Sequence, residues 1–311
     1  IAYQGVFSKD LMEYLNVSYE NDLEFANSIN FLKTGIQTAD FITTVSETYA
    51  NEILYDYFSF RMNSVLETRK DDLYGIVNGI DYEQFNPKTD KSLAKNYSLH
   101  NYLKGKEENK AHLRNLFAMK HTNVPVIGMV SRLTEAKGFD IIKIILEDLI
   151  KEKKLQMVLL GSGDHDIEQY YENLKQTYPD DIGVYIGYND EMARKIYAGS
   201  DLFLMPSRFE PCGLAQLISL KYGTLPVVRK TGGLRDTIIP YNKYTGEGNG
   251  FGFENFDAAD LLHSLHEAVE VYHHKPTWKK LVKRALQEDF SWQQSAFKYI
   301  NLYKKLKGEQ E

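Results

Sequence analysis

Leu202-Phe203-Leu204-Met205-Pro206-Ser207-Arg208-Phe209-Glu210-Pro211-Cys212-Gly213-Leu214 runs from an apolar segment through a polar turn into a helical-looking stretch, residues 214–223. That order is a strand–loop–helix unit with a carboxylate, Glu210, at its apex. Pro211 stiffens the turn, while Gly213 lets a ligand approach the backbone and opens the helix with free N–H groups. A carboxylate beside exposed amides suits a neutral, hydroxyl-rich ligand, because the acid accepts hydroxyl protons and the amides donate to oxygens. The same side chain could equally cap the helix it precedes, so the loop alone leaves both readings open.

The alternation extends to both sides. Residues 124–131 read as a strand and 139–152 as a helix, with Ile142, Ile145, Leu146, Leu149 and Ile150 at the spacing of one helical face. Further strands are expected at 156–160, 184–186, 202–205 and 225–228, separated by helices at 166–178, 191–198 and 214–222. Short strands alternating with helices predict βαβ units and a doubly wound parallel sheet. Helices at 269–274, 278–288 and 296–307 close the chain.

Residues 1–90 carry a helix at 30–39, a strand at 40–46, a helix at 47–57 with Ser46 as N-cap, and a strand at 74–77 ending in Asn78-Gly79. Two strands and their helices are too few for a stable doubly wound domain, which predicts an incomplete one. The charged, Lys- and Asn-rich segment leading to a helix through Leu113, Leu116 and Phe117 reads as a connector. The expected division is therefore 1–90, a connector at 91–122, a doubly wound domain at 123–288, and a closing helix at 289–311.

A chain of 311 residues can hold about two domains. Its net charge of −6 and isoelectric point near 5.8, without a long basic block, argue against a nucleic-acid surface. The single cysteine, Cys212, excludes an internal disulfide and suggests a reducing compartment. No apolar run approaches the roughly 20 residues of a membrane span, and the first residues lack a signal pattern. Ile1-Ala2-Tyr3-Gln4-Gly5 reads as the tail of a strand or loop.

In a doubly wound sheet, ligands bind outside the carboxyl ends of the strands. There the sequence places Ser131-Arg132 through Lys137-Gly138, then Gly161-Ser162-Gly163, Gly187-Tyr188, the Glu210 loop and Thr231-Gly232-Gly233. Two cations, glycine turns, an aromatic ring and a carboxylate suit a nucleotide diphosphate joined to a sugar. Arg132 can fork onto phosphate oxygens, Lys137 adds a point charge, and Gly232 and Gly233 can turn amides toward the anion. Asp164-His165-Asp166 has the form of a metal-binding Asp-x-Asp, but its place before a helix favours a capping role. His273-His274 lacks a matching ligand pattern, and no Ser/His/Asp triad or P-loop signature occurs.

These residues resemble a known family. Ser207-Arg-Phe-Glu-Pro-Cys-Gly-Leu214, Lys230-Thr-Gly-Gly-Leu234, Ser131-Arg-Leu-Thr with Lys137-Gly138, Val77-Asn-Gly-Ile-Asp81 and Tyr3-Gln-Gly5 are similar to motifs of bacterial glycogen synthases and plant starch synthases, in the same order. The resemblance implies a GT-B α/β fold of two Rossmann-like domains, the N-terminal one incomplete here. It also implies retaining transfer of glucose from ADP-glucose to the non-reducing-end 4-hydroxyl of an α-1,4-glucan, with no metal or other cofactor. Carried over, Arg132 and Lys137 hold the diphosphate, and Glu210 with the backbone of Cys212, Gly213 and Leu214 holds the glucose hydroxyls. Tyr188 stacks on the adenine, Asn78 reaches the donor from the other domain, and Thr231, Gly232 and Gly233 complete the donor site.

The family's glycine-rich loop and a catalytic histidine are expected before Ile1, and Ala215 stands where relatives often carry threonine. Ser291-Trp292 is expected to mark the crossover of the closing helix, with hinges near 88–122 and 288–292. The implied location is the bacterial cytoplasm, or the plastid in a plant, and homo-oligomerisation is left open. The synthase reading belongs to the parent protein, and for this chain by itself binding without efficient turnover is expected. Two alternatives stand beside the synthase: a non-catalytic module that binds nucleotide sugar or glucan, and a related enzyme with another nucleotide sugar.

Overall fold

The computed structural model describes residues 3–15 and 23–308; Ile1 and Ala2 lie outside them. The chain divides into two units, residues 1–78 with 295–311, and residues 79–294. In the first unit β1 (Val6–Ser8), β2 (Glu24–Phe25) and β3 (Ser28–Asn30) form a small antiparallel sheet ordered β1-β3-β2. Asn30 caps α1 (Phe31–Thr38), its Oδ1 accepting from Lys33 N at 3.0 Å. β4 (Ile42–Thr44) is followed by α2 (Glu47–Glu52), α3 (Asp56–Ser59) and α4 (Asn63–Glu67), and pairs in parallel with β5 (Leu73–Gly75). Ser46 caps α2 as expected, its Oγ accepting from Tyr49 N at 2.9 Å. The single helix read at 47–57 is two, because Tyr55 is extended at ψ 144° and interrupts the ladder.

The second unit starts with α5 (Tyr102–Leu116) and continues with β6 (Val126–Val130), α6 (Phe139–Lys151), β7 (Gln156–Gly161), α7 (His165–Thr177) and β8 (Ile182–Ile186). After α8 (Asp190–Gly199), β9 (Leu202–Met205), α9 (Ala215–Lys221), β10 (Leu225–Arg229) and α10 (Gly232–Thr237) follow in alternation. β11 (Phe251–Phe253), α11 (Ala258–His273) and α12 (Lys275–Gln287) complete the layer structure. The sheet is ordered β11-β10-β9-β6-β7-β8, with every pair parallel.

The physics behind this sheet is burial on both faces. Every residue of β7 is buried, so the strand shows no polar alternation. α6 seals one face with the five apolar residues expected of it, all buried. The order of the strands has a consequence for function. β6 is followed by β7 on one side, whereas its other neighbour is β9. The connections therefore leave β6 and β9 in opposite directions, and the crevice between their carboxyl ends is a topological switch point.

The sequence reading misses one strand here and starts one helix late. β11 is three residues with a central glycine, flanked by Gly248 and Gly250, and its sequence resembles a turn. α11 begins at Ala258 rather than 269, where Asp257 Oδ1 accepts from Ala259 N at 2.8 Å. The helical connector expected at 91–122 contains α5 and is packed onto the second unit. Gly105 sits so close to Tyr97 that a Cβ would lie 2.3 Å from it, and Tyr97 donates its hydroxyl to Tyr222 O at 2.7 Å. The units divide after Asn78 and after Gln294, beside the expected boundaries at 90 and 288.

Within the second unit the two chain crossings lie side by side. Ile80 N donates to Phe290 O at 2.8 Å, and a Cβ on Gly79 would lie 2.4 Å from Trp292 N. The Asn-Gly pair is thus explained by close backbone approach rather than by a hairpin turn. α13 (Trp292–Leu306) runs into the first unit, where Ser295 Oγ donates to Val77 O at 2.7 Å and Lys305 Nζ to Tyr74 Oη at 2.8 Å.

Candidate active site

The loops after β6 and β9 are fastened to each other. Arg208 N donates to Ala136 O at 2.9 Å, and the Arg208 guanidinium reaches Asp140 Oδ2 at 3.0 Å and Glu135 Oε1 at 3.4 Å. Gly138 takes φ +81°, and a Cβ there would lie 2.2 Å from Pro206 O, so only glycine admits this approach. As a result Lys137 at the end of one loop meets Glu210 in the other, with Nζ 2.5 Å from Oε2. Both side chains are mostly buried, at 18% and 11% exposure. Ser207 Oγ donates to the same Glu210 oxygen at 3.1 Å.

A cavity of about 190 Å³ opens at this junction, lined by Arg132, Lys137, Ser207, Glu210, Gly213 and Leu214 among others. Arg132 is exposed, and its guanidinium has no hydrogen bond or ion pair among the described residues. One cation is thus held against a carboxylate while a second stands open beside it. The Glu210 carboxylate does not cap α9. The cap position belongs to Leu214, and the Glu210 carboxylate is held by Lys137 and Ser207 instead.

The other expected donor residues take several positions. Tyr188 follows β8 at the same edge and is 88% exposed, presenting its ring to solvent. Cys212 and Thr231 are buried, and neither lines the cavity. Gly232 and Gly233 pack on the Glu210 loop: a Cβ on either would lie 2.1 Å from Glu210 O or 2.0 Å from Cys212 O. The Gly233 amide, expected to face an anion, instead donates to Glu210 O at 3.1 Å and Pro211 O at 3.2 Å. Both glycines thus admit one backbone against another. Gly161 and Gly163 do the same for the β6 loop, where Cβ atoms would strike Ser131 O and Leu133 O. Asn78 belongs to the first unit.

Sequence reasoning assigns no role to Gln216, yet it organises the loop. Its Nε2 donates to Cys212 O and Gly213 O, both at 3.0 Å, and to Thr237 Oγ1 at 3.3 Å. The signal available in the sequence is a glutamine beside Leu217 and Ile218 at a helix start, four residues after Cys212. The two metal-like motifs do not develop into sites. Asp164 holds the N-cap position of α7, though without a side-chain cap bond, and His274 Nδ1 pairs with Thr277 Oγ1 at 2.7 Å. Among the described residues no group of three His, Cys, Asp or Glu side chains could hold a metal ion, and no helix is long and apolar enough to cross a membrane.

A doubly wound sheet with cations and a carboxylate at its switch point makes this an α/β fold, and matches to glycosyltransferases make it one of the GT-B type. The chain matches the glycosyl transferases group 1 family over residues 117–286 and the starch synthase catalytic domain over residues 1–68. It belongs to the glycosyl transferases group 1 family. It is 47% identical to a glycogen synthase of Bacillus cereus (strain B4264), over 98% of this chain and 65% of the relative. A glycogen synthase of Acholeplasma laidlawii is 45% identical over 99% of this chain and 65% of the relative. The chain thus spans about two thirds, 65%, of the length of these relatives.

Among solved structures, the catalytic domain of starch synthase IV from Arabidopsis thaliana, bound to ADP and acarbose, superposes with a TM-score of 0.89 at 33% identity, covering 98% of this chain and 65% of that one. Sucrose-phosphate synthase from Thermosynechococcus elongatus shares the fold, with a TM-score of 0.60 at 18% identity over 97% of this chain and 67% of that one.

Proposed function

We propose that this chain carries the donor side of a retaining glucosyltransferase that moves glucose from ADP-glucose to the non-reducing-end 4-hydroxyl of an α-1,4-glucan. The observation that supports this reading is the open guanidinium of Arg132 beside the Lys137–Glu210 pair on one cavity at the switch point. Departure of ADP develops negative charge on the diphosphate, and preorganised cations stabilise that charge most where water is excluded. Arg132 forks onto the phosphates. Lys137 has three N–H donors, so one can stay on Glu210 while another reaches a phosphate oxygen. Glu210 has two oxygens and accepts protons from the glucose hydroxyls, while the backbone at Gly213 and Leu214 donates to the sugar oxygens.

Tyr188 is proposed to stack on the adenine, and Asn78 to contact the donor as well. Arg132 and Lys137 supply the positive charge, and no step requires a metal. Relatives named glycogen synthase, and a structural neighbour bound to ADP and acarbose, support ADP-glucose as donor and glucan as acceptor. The bacterial source of those relatives supports a cytoplasmic enzyme.

The test is glucose incorporation into glycogen from ADP-glucose and from UDP-glucose in parallel. Preference for ADP-glucose, with Arg132→Ala and Lys137→Ala each lowering the rate about 10²–10³-fold, is the expected outcome. Preference for UDP-glucose would favour a related synthase. ADP-glucose binding without incorporation would leave the chain a binding module.

A further inference from the structure

A second cavity lies at the opposite edge of the large sheet. Asn123, Asp201 and Gly223, which immediately precede or closely approach the starts of β6, β9 and β10, line a space of about 700 Å³. That volume is typical of a small-molecule site. The candidate active site is at the carboxyl ends of the same strands, so the two sites do not overlap.

The charge of the lining is unbalanced. Lys106, Lys110, Arg114, Lys275 and Lys279 face it, against the carboxylates of Glu107 and Asp201. Asp201 is already committed: its Oδ2 is 2.5 Å from Lys110 Nζ and accepts from Val126 N at 2.8 Å. Lys106 finds only uncharged partners, donating to Ser200 O at 2.6 Å and Thr224 Oγ1 at 2.5 Å. Desolvation lowers its pKa to about 7, which an arriving anion would oppose. At the rim, Lys275 and Lys279 are exposed and neither forms an ion pair among the described residues; Lys275 Nζ lies 3.4 Å from the centre of the Tyr272 ring.

The walls supply the other half of a binding site. Tyr102, Tyr272 and Trp278 give it an apolar, aromatic side. Net positive charge in a partly enclosed space, with two ammonium groups at its mouth that form no ion pair among the described residues, favours a compact anion of more than one negative charge. We propose that this cavity binds a small phosphate-bearing anion. The rim lysines meet the phosphate as point charges, and the aromatic wall receives the uncharged remainder of an ester. Nothing in this inference depends on the donor reading of the first cavity.

The test is calorimetric titration of inorganic phosphate and of glycerol 3-phosphate into the 311-residue protein, with Lys275→Ala/Lys279→Ala and Arg132→Ala as variants. Both rim lysines are exposed, so the double variant should keep its fold, which far-UV dichroism verifies. The expected result is a Kd below about 1 mM for at least one of the two compounds. That affinity should fall at least about tenfold in the double lysine variant and stay unchanged in Arg132→Ala. Tighter binding of the ester would assign the site to organic phosphates, and equal binding to phosphate itself. Absence of binding by either compound would overturn the proposal. So would binding that Arg132→Ala abolishes and the lysine variant retains.

Discussion

Replacing Lys137 by methionine separates the structural from the chemical work of the central ion pair. Methionine keeps most of the side-chain volume but strands the Glu210 carboxylate, which is 11% exposed and would retain only the Ser207 hydroxyl at 3.1 Å. Breaking a buried pair from one side costs about 3–5 kcal/mol, and the residual exposure of both groups places this case near the lower end, about 3 kcal/mol. For a unit of 150–250 residues that corresponds to a fall of about 6–12 °C in Tm. Adding Glu210→Gln removes the stranded charge, so the double variant should recover at least about half of the loss, whereas two independent sites would add their costs. Thermal denaturation of wild type, both single variants and the double variant measures all four corners of the cycle. A Lys137→Met protein melting within about 1 °C of wild type would refute the reasoning, since it would make the pair equivalent to a solvated surface contact.

Other perturbations test neighbouring parts of the structure. Gly138→Ala forces a side chain into φ +81° and against Pro206 O, and should destabilise by at least about 2 kcal/mol in denaturant unfolding. Arg132→Ala removes an exposed, unpaired side chain, so Tm should stay within about 2 °C of wild type. Lys106 has a folded pKa of about 7 against an ordinary 10.5, so across that window the unfolded chain keeps a proton that the folded chain has released. Stability should therefore rise with pH from 7 toward 10 by up to roughly 1 kcal/mol per unit, and Lys106→Met should flatten that rise in unfolding curves taken at several pH values. Incorporation of glucose should be unaffected by EDTA, and a loss restored by a divalent ion would contradict a diphosphate held by side-chain cations alone.

Much of this architecture is legible in the residues because burial leaves a periodic trace. The five apolar positions of α6 and the unbroken apolar run of β9 have one physical solution each, a covering helix and an internal strand. Arg132, Lys137 and Glu210 could be placed together because strand alternation fixes which loops share an edge. Contacts between backbones were not legible. Gly232 and Gly233 look in sequence like an anion-binding turn and Gly161 like a turn at the ligand edge, yet each, like Gly138, admits a neighbouring carbonyl at a distance that no side chain allows. β11 escaped because three residues around a glycine carry no period, and the packing of residues 91–122 because it rests on Tyr97 and Gly105, single contacts without a repeating pattern. Gln216 was hidden for a related reason: its three hydrogen bonds converge from a turn and another helix that only folding brings together.

Titration of ADP-glucose into the 311-residue chain by calorimetry, beside Arg132→Ala and Glu210→Gln, probes the proposed donor site. The expected result is saturable binding by the wild-type chain, lost or weakened at least about tenfold in both variants while their Tm values show that they remain folded. A folded wild-type chain that binds no ADP-glucose, or an Arg132→Ala variant that binds it as tightly as wild type, would contradict the assignment of this cavity to the donor.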